Sequence, residues 1–295
     1  MSLTLAPRTR KCYAAACIEF ERFCIGEGRR RAWPVDLEIL MQYAVYLYRK
    51  GLAPRSIQGR MAAVAFYAKA MGFAHPTTDR RVAKMIEGWA REKGKQADKR
   101  VPVSPMVLRQ LSTGWERLCP YITFEVTLFR AAMLLAFFGA FRITELVAVA
   151  KGDLSGSALW FNDLLISEDQ LVVTLQRPKT DQKGKGKIIR LGKCFDPSLC
   201  PYRVMTAYIN LWGSADGFLF VHKDGTPLTK FQFCHLTLEG LRRAGVDTQR
   251  FGTHSFRIGV ASTAAALGYS APEIQAVWCW RSSKYKLYVR KLPEY

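Results

Sequence analysis

The sequence is short of acidic residues, histidines and long apolar segments, and each shortage excludes a class of protein. Only 24 residues are Asp or Glu, against 44 Lys and Arg and 4 His, so the net charge is +20. This excess is unusual for a metabolic enzyme and favours a polyanionic partner, most often a nucleic acid. Membrane-surface binding and plain solubility are the alternatives from charge alone. The longest apolar run, Ala131 to Phe141, is far too short to span a bilayer.

The eight cysteines include no CxxC pair. Cys194 and Cys200 are six residues apart, but no second pair and no nearby histidine complete a zinc site, so we predict no metal and no cofactor. Residues 1–10 lack the apolar core of a signal peptide. We therefore expect a reduced intracellular protein, in the nucleus of a eukaryote or otherwise in the cytoplasm or nucleoid.

The hydrophobic pattern divides the chain into a basic helical part and a mixed part. Residues 1–97 contain four segments with apolar residues at helical spacing, separated by glycines. The first 100 residues carry 20 Lys and Arg against 9 acidic residues, which is the denser positive charge. The polar stretch 92–100, EKGKQADKR, indicates an interdomain connection. We predict a helical domain at 1–97, a linker at 98–104 and a second domain at 105–295.

The second domain begins with helical patterns and then changes to strand patterns. Three short runs, 164–166, 171–175 and 187–191, predict strands, and the last two are joined by a cationic hairpin. Helical patterns return from about residue 200. The predicted fold class is therefore mainly α, or α+β: a four-helix domain, then a helical domain with a small three-stranded antiparallel sheet.

Charged and aromatic residues in a fixed order indicate chemistry on a phosphate. Arg142 follows a buried apolar helix, where an arginine must be paired or functional, and Glu145 is its obvious partner. His254 and Arg257 share one short segment, and Tyr288 follows after a helical stretch. Breaking a phosphodiester without metal requires an oxygen nucleophile, cations on the phosphoryl oxygens and an acid for the leaving oxygen. Taken singly, each residue has an ordinary alternative, such as a core histidine, a plain ion pair or a surface aromatic residue.

The order Arg, Lys, His-x-x-Arg, Tyr resembles the tyrosine recombinase, or phage integrase, family. Within it, the motifs THSFRIG and KTDQ are most similar to recombinases of Crypton and DIRS mobile elements. The resemblance covers nearly the whole chain, with residues 1–97 similar to the core-binding domain and 105–295 to the catalytic domain. It implies a site-specific DNA recombinase that works through a 3′-phosphotyrosine intermediate, without ATP or metal. It also implies integration or excision of a mobile element by a homotetramer on two double-stranded DNA sites, with no membrane partner.

The resemblance assigns catalytic roles to six residues. In chain order these are Arg142, Lys179, His254, Arg257, Trp280 and Tyr288. The tyrosine would be the nucleophile, the two arginines would hold the non-bridging oxygens, and the lysine would protonate the 5′ leaving oxygen. The histidine would hydrogen-bond the phosphate or assist proton transfer. Glu145 is expected to orient Arg142 or His254.

One stretch departs from the family pattern. The family usually has a Gly followed by a His, Trp or Arg, and this second residue of the pair stands nine positions before the tyrosine. In this sequence Trp278 and Cys279 occupy the two positions. Trp280 follows directly. We expect Trp280 to supply packing and an indole donor near the phosphate, with Cys279 as a neighbour of the catalytic groups.

Further DNA contacts are predicted outside this set. Arg55, Gln58 and Arg60 lie at one end of the third helical segment, and Lys183 and Lys185 lie in the hairpin. For the helix residues a solvated polar face is an equal alternative. Two other functions stay open from the sequence: relaxation of DNA like that of a type IB topoisomerase, and DNA binding by a domesticated protein with impaired catalysis.

Overall fold

The computed structural model describes residues 5, 7–94, 98–118, 123–153, 156–176, 186–213, 216–280 and 283–292. The chain divides into two compact units, Met1–Asp98 and Lys99–Tyr295. In the second unit the backbone N–H groups of Val101 and Val103 donate to the carbonyls of Arg250 and Ser255. Residues 101–103, which we predicted as part of the linker, are therefore bound into the second unit. Within the described ranges, no helix is both long and apolar enough to cross a membrane.

The first unit consists of four α-helices around one core. The helices are α1 (Pro7–Gly26), α2 (Leu37–Arg49), α3 (Pro54–Ala70) and α4 (Arg80–Glu92). Asp36 and Asp79 cap α2 and α4 by accepting backbone N–H groups of the first turn, and Pro54 starts α3 at a position where no N–H is needed. Phe20 and Tyr43 are fully buried and meet edge to face at 5.0 Å.

The second unit is built around a nearly all-apolar helix. Its helices are α5 (Pro105–Leu118), α6 (Thr123–Phe138), α7 (Ile143–Leu146), α8 (Pro201–Trp212), α9 (Lys230–Arg243), α10 (Ser255–Ala266) and α11 (Ala271–Val277), followed by a 3₁₀ turn at Ser283–Leu287. In α6 every residue from Leu128 to Phe137 except Arg130 is buried, so this helix forms the centre of the core.

Glycine permits one close approach that positions the site. A Cβ built on Gly259 of α10 would lie 1.9 Å from the carbonyl oxygen of Val103, so no larger residue fits there. The start of α10, which carries His254 and Arg257, is thus held directly against the backbone that enters the second unit.

The sheet has three antiparallel strands in the order β1-β2-β3. They are β1 (Leu164–Ile166), β2 (Gln170–Leu175) and β3 (Lys187–Gly192). Leu175 pairs with Lys187 and Leu171 with Leu191. One face buries Leu171, Val173 and Ile189 against the helices. The predicted mainly α fold with one small antiparallel sheet is confirmed.

Candidate active site

Arg142 stands at a sharp corner between α6 and α7. Ala140, in the turn before it, has a left-handed φ of +48°, and Arg142 is the N-cap of α7. Glu145 binds this arginine twice: Oε2 accepts its backbone N–H at 2.8 Å and Oε1 accepts its Nη1 at 2.6 Å. The Glu145 side chain is only 8% exposed, so the pair is held in one geometry. We predicted that Glu145 orients either Arg142 or His254, and in the structure it binds Arg142.

Arg257 is a buried cation in the first turn of α10. Only 4% of it is exposed, and its Nη1 donates to the carbonyl of Ala140. Its Nε is buried without a hydrogen-bond partner among the described residues. Burial lowers the pKa of Arg257, and the nearby charge of Arg142 lowers it further. Two guanidinium groups therefore lie near the single carboxylate of Glu145, which pairs with Arg142, and this leaves a net positive charge suited to an anion.

Tyr288 lies against three of the other predicted residues. Its ring is stacked with the His254 ring at 6.2 Å and 9°, and is tilted against Trp280 at 5.4 Å. The guanidinium carbon of Arg257 lies 5.3 Å from the centre of the phenol ring and 5.0 Å from that of the indole. The predicted His, Arg, Trp and Tyr, separated by up to 34 positions in the chain, thus form one cluster.

The backbone at Tyr288 is fixed by a serine that sequence reasoning missed. Ser262 of α10 is buried, and its hydroxyl lies 3.1 Å from the carbonyl oxygen of Tyr288 and 2.7 Å from that of Ile258. The hydroxyl oxygen of Ser262 also accepts the backbone N–H of Arg290 at 3.0 Å. A single serine in a helix rich in small residues gives no signal in the sequence, because its role depends on a segment 26 residues away.

The stretch that departs from the family pattern has a simple backbone explanation. Trp278 is the C-cap of α11, and Cys279 has a left-handed φ of +49°. The N–H groups of Cys279 and Trp280 donate back to Ala276 and Gln275, the two hydrogen bonds of a Schellman motif. Cys279 therefore has the backbone conformation that glycine favours there, and Trp280 is the residue that follows. A Gly-Trp pair would therefore fit this backbone at positions 279 and 280 and not at 278 and 279.

Two indoles near the end of α11 are oriented differently. The Nε1 of Trp278 donates to the carbonyl of Phe138 at 2.7 Å, which joins the end of α11 to the end of α6. The Nε1 of Trp280 is buried and has no hydrogen-bond partner within the described ranges. A donor left open beside Arg257 and Tyr288 is suited to an oxyanion.

The lysines predicted in the hairpin, Lys179, Lys183 and Lys185, lie outside the described residues. Lys187, which we did not single out, lies instead at the start of β3. Its Nζ is 6.0 Å from the ring centre of the fully buried Phe141. Burial lowers the pKa of Lys187 to about 8, and the charges of Arg257 and Arg142 contribute in the same direction. One basic residue at a strand end is not distinctive in a sequence with 44 Lys and Arg.

The DNA-binding candidates of the first unit lie on α3. Arg55 and Gln58 are exposed, whereas Nε of Arg60 lies 3.3 Å from a carboxylate oxygen of Glu19. Their role in DNA binding stays a prediction. No group of three or more His, Cys, Asp or Glu side chains forms a possible metal site in the part of the chain that the structure describes.

Comparison with known proteins gives one sequence relative and a set of similar folds. No family model matches the chain. An integrase/recombinase XerD homolog from Selenomonas ruminantium is 24% identical over 297 residues, which cover 95% of this chain and 79% of that protein.

The solved structures agree on the fold. A lambda integrase (75–356) dimer bound to a COC′ core site has a TM-score of 0.66 at 15% identity, over 100% of this chain and 94% of that one. The Tn1549 transposon integrase in complex with transposon right end DNA has a TM-score of 0.63 at 15% identity, over 97% and 89%. The similarity to Crypton and DIRS recombinases stays a prediction. The ordered motif residues, the shared fold and the similarity to the XerD homolog together support the tyrosine recombinase, or phage integrase, family for this chain.

Proposed function

We propose that the protein is a site-specific recombinase that cleaves and rejoins double-stranded DNA through a covalent bond between Tyr288 and a 3′ phosphate. The observation that supports this most is the position of the Tyr288 ring against His254, Arg257 and Trp280 of its own chain. A phenol supplies the oxygen nucleophile that strand cleavage requires. Each chain would thus carry its nucleophile next to its own cations.

The reaction would be an in-line displacement at phosphorus. The Oη of Tyr288 forms a bond to phosphorus while the bond from phosphorus to the 5′ oxygen breaks. The phenol gives up its proton, and the departing oxygen takes up a proton to become a free 5′ hydroxyl. One phosphodiester is exchanged for another, so a 5′ hydroxyl can later attack the phosphotyrosine and rejoin the strand without ATP.

The cations and the indole would hold the phosphate. Arg142 and Arg257 would bind the two non-bridging oxygens, for which planar and permanently charged guanidinium groups are well suited. The buried Nε of Arg257 and Nε1 of Trp280, both without a partner among the described residues, are the donors available for this. His254 would hydrogen-bond the phosphate or assist proton transfer. Donors already oriented toward the developing charge lower the barrier most.

The remaining assignments rest on the sequence resemblance. Lys179 is the family's candidate for protonating the 5′ leaving oxygen. Arg55, Gln58, Arg60, Lys183 and Lys185 are the candidates for contacts to the DNA backbone, which supply affinity and not sequence preference.

We further propose that the protein integrates or excises a mobile element as a homotetramer on two DNA sites. Lambda integrase of the same fold is known as a tetramer bound to a Holliday junction. The Tn1549 transposon integrase, also of this fold, is known in complex with transposon right end DNA. Both support the proposal by analogy of fold.

Covalent trapping tests the function directly. The protein is incubated with a library of randomised duplexes that carry a nick. After cleavage the short fragment with the new 5′ hydroxyl dissociates, so the strand cannot be rejoined and the adduct accumulates. We expect unaltered protein and Tyr285→Phe to recover the same sites, and Tyr288→Phe to bind DNA without forming adducts. Tyr285 is a matched control because it lies three residues away but is buried in the core.

Each other outcome identifies a different function. Adducts that persist in Tyr288→Phe would disprove the nucleophile. Salt-dependent DNA binding without adducts would indicate the domesticated, catalytically impaired protein. Relaxation of a supercoiled plasmid that lacks the recovered site would indicate a topoisomerase-like activity.

A further inference from the structure

The candidate nucleophile stands where regular secondary structure ends. Tyr288 directly follows the 3₁₀ turn Ser283–Leu287, and residues 289–292 belong to no helix or strand. The backbone N–H of Tyr288 donates to the carbonyl of Tyr285 at 2.8 Å, which fixes the side of the tyrosine that faces the turn. On its other side no ladder of backbone hydrogen bonds continues, so the position of Tyr288 depends there on bonds to side chains.

Arg290, two residues after Tyr288, makes such bonds in two directions. Its backbone N–H donates to the hydroxyl oxygen of Ser262 at 3.0 Å, and that hydroxyl also lies 3.1 Å from the carbonyl oxygen of Tyr288. Its Nη1 donates to the backbone carbonyl of Arg100, 190 positions earlier in the chain. One partly buried arginine therefore joins the segment of the tyrosine both to α10 and to a distant stretch of backbone.

That distant stretch also holds the start of α10. We call residues 99–103 the entry segment, because they are the first residues of the second unit. Within it, the N–H of Val101 donates to the carbonyl of Arg250 at 2.9 Å, and the N–H of Val103 donates to the carbonyl of Ser255 at 3.0 Å. The first turn of α10, with its candidate phosphate ligands, is therefore fixed to the same segment that Arg290 binds.

A shared attachment matters because in-line attack is sensitive to small displacements. The attacking oxygen must stand about 3–3.5 Å from phosphorus and opposite the leaving oxygen. A misplacement of about 1 Å can slow such a reaction by about 10²-fold. A side chain that fixes Tyr288 relative to α10 would therefore act on the rate of cleavage without touching the phosphate.

Contact with a DNA phosphate is the other role open to an arginine so near the site. The geometry favours the first role, because Nη1 of Arg290 is directed at a protein carbonyl and the side chain is partly buried. Lys291, the next residue, is exposed and has the position expected of a solvated cation.

We propose that Arg290 is a positioning residue, which holds Tyr288 in line with the phosphate by binding the carbonyl of Arg100. This inference rests on the proposed strand cleavage and adds to it the group that fixes the nucleophile relative to the phosphate ligands. The candidate catalytic residues of α10 and Tyr288 would thus be held by one backbone segment.

Three variants test the role by separating DNA binding from the rate of cleavage. They are Arg290→Met, Arg290→Lys and, as the matched control, Lys291→Met, which removes the same charge from the neighbouring exposed residue. The readouts are the affinity for a nicked duplex of the recovered site, its salt dependence, and the single-turnover rate of adduct formation at saturating DNA.

We expect Arg290→Met to slow adduct formation at saturating DNA by about 10–100-fold. Arg290→Lys keeps a donor for the Arg100 carbonyl, so its rate should return to within about fivefold of unaltered protein. Lys291→Met should keep the full rate. Both methionine variants lose one positive charge, so they should weaken DNA binding equally, by no more than about threefold at moderate salt.

Hydrogen exchange tests the contact itself, without DNA and without activity. In Arg290→Met the amides of residues 288–290 should exchange at least about tenfold faster than in Lys291→Met, because their segment has lost one of its attachments. The amides inside α10 should exchange at the same rate in both variants, which also establishes that the protein is folded.

Four results would overturn the proposal. A weaker affinity and a smaller salt dependence in Arg290→Met alone, with an unchanged rate at saturation, would make Arg290 a phosphate ligand. An unchanged rate and unchanged exchange would make it an ordinary surface residue. Faster exchange throughout α10 would indicate general loosening of the fold. A rate of Arg290→Lys as low as that of Arg290→Met would mean that a donor to the Arg100 carbonyl is not what matters.

Failure of the proposed function gives a different pattern. Unaltered protein would then form no adduct, while exchange at residues 288–290 would still differ between Arg290→Met and Lys291→Met. In that case the contact between Arg290 and Arg100 would be confirmed as part of the fold, and its role in cleavage would be disproved.

Discussion

Two turns lead into the candidate active site, and they share a backbone conformation but differ in their surroundings. The turn between α6 and α7 has Ala140 at φ +48°, and the turn after α11 has Cys279 at φ +49°. Ala140 is fully buried and its carbonyl accepts Nη1 of Arg257. Cys279 is exposed, and its turn is held by backbone hydrogen bonds that glycine could make equally well.

The comparison separates strain that orients a candidate catalytic group, Arg257, from strain that is only tolerated. A left-handed conformation costs a residue with a Cβ about 1–2 kcal/mol. At Ala140 this cost accompanies a carbonyl that is directed at the buried guanidinium of Arg257. At Cys279 the one side-chain hydrogen bond to another described residue is a distant 4.0 Å approach of Sγ to the carbonyl of Ile188. The turns are also linked, because Trp278 donates to Phe138, and because Lys187 lies over the Phe141 ring and interacts electrostatically with Cys279.

The largest effect is expected from removing the group that the first turn holds. Arg257→Lys should slow adduct formation by about 10²–10³-fold. The planar guanidinium group can bind the Ala140 carbonyl and a phosphate oxygen at the same time, whereas an ammonium group lacks this fork of donors. The measurement is the single-turnover rate on the trapped site. Arg243→Lys on the surface of α9 is the control and should keep the rate. A loss of less than threefold in Arg257→Lys would mean that Arg257 is not a phosphate ligand.

A smaller effect is expected from weakening the hydrogen bonds that hold Arg142. Glu145→Gln keeps the shape but replaces one acceptor oxygen by a donor, so either the backbone N–H or Nη1 of Arg142 loses its partner. Adduct formation should slow by about 10–100-fold, and the free energy of unfolding should fall by about 1–3 kcal/mol. Glu239→Gln removes a comparable surface pair with Arg242 and should change neither. Equal results for the two variants would contradict a positioning role for Glu145.

The sequence was most informative where chemistry depends on residue type and order. The helices follow from apolar spacing and the strands from short β-branched runs, and both were found near their observed positions. Arg142 was recognised because a charge after an apolar helix needs a partner, and Glu145 three residues on is that partner.

What the sequence could not predict depends on three-dimensional proximity. Ser262, the carbonyl of Ala140 and Lys187 act on residues 26 to 117 positions away, and none is of an unusual type for its element. The left-handed turn at Cys279 was missed for a different reason: a residue other than glycine gives no signal of positive φ. Hence the left-handed residue in the stretch 278–280 was not predicted.

The buried amine that interacts with both turns should limit stability in a pH-dependent way. Because the folded pKa of Lys187 is about 8 and the ordinary value is 10.5, the unfolded chain binds more protons between these values. Its destabilising effect is therefore fully present below pH 8 and disappears as the pH rises toward 10.5. Lys187→Met should raise the free energy of unfolding by about 1–2 kcal/mol at pH 7, below the roughly 3 kcal/mol that the full shift represents. Denaturant unfolding at pH 7 and 10 measures this, and an equal gain at both pH values would show that packing and not charge is responsible.

The smallest effect tests the comparison itself, by placing glycine in each turn. Cys279→Gly removes the strain of an exposed residue and should raise the free energy of unfolding by about 0.5–1 kcal/mol. Ala140→Gly removes similar strain but also a fully buried methyl group, which costs about 0.8 kcal/mol, so no net gain is expected. Cys279→Ala is the control, because it changes the side chain but keeps the strain. The two glycine variants are compared by denaturant unfolding at one pH. If both stabilised the protein equally, the burial of Ala140 would contribute nothing, and the distinction between the two turns would rest on Arg257 alone.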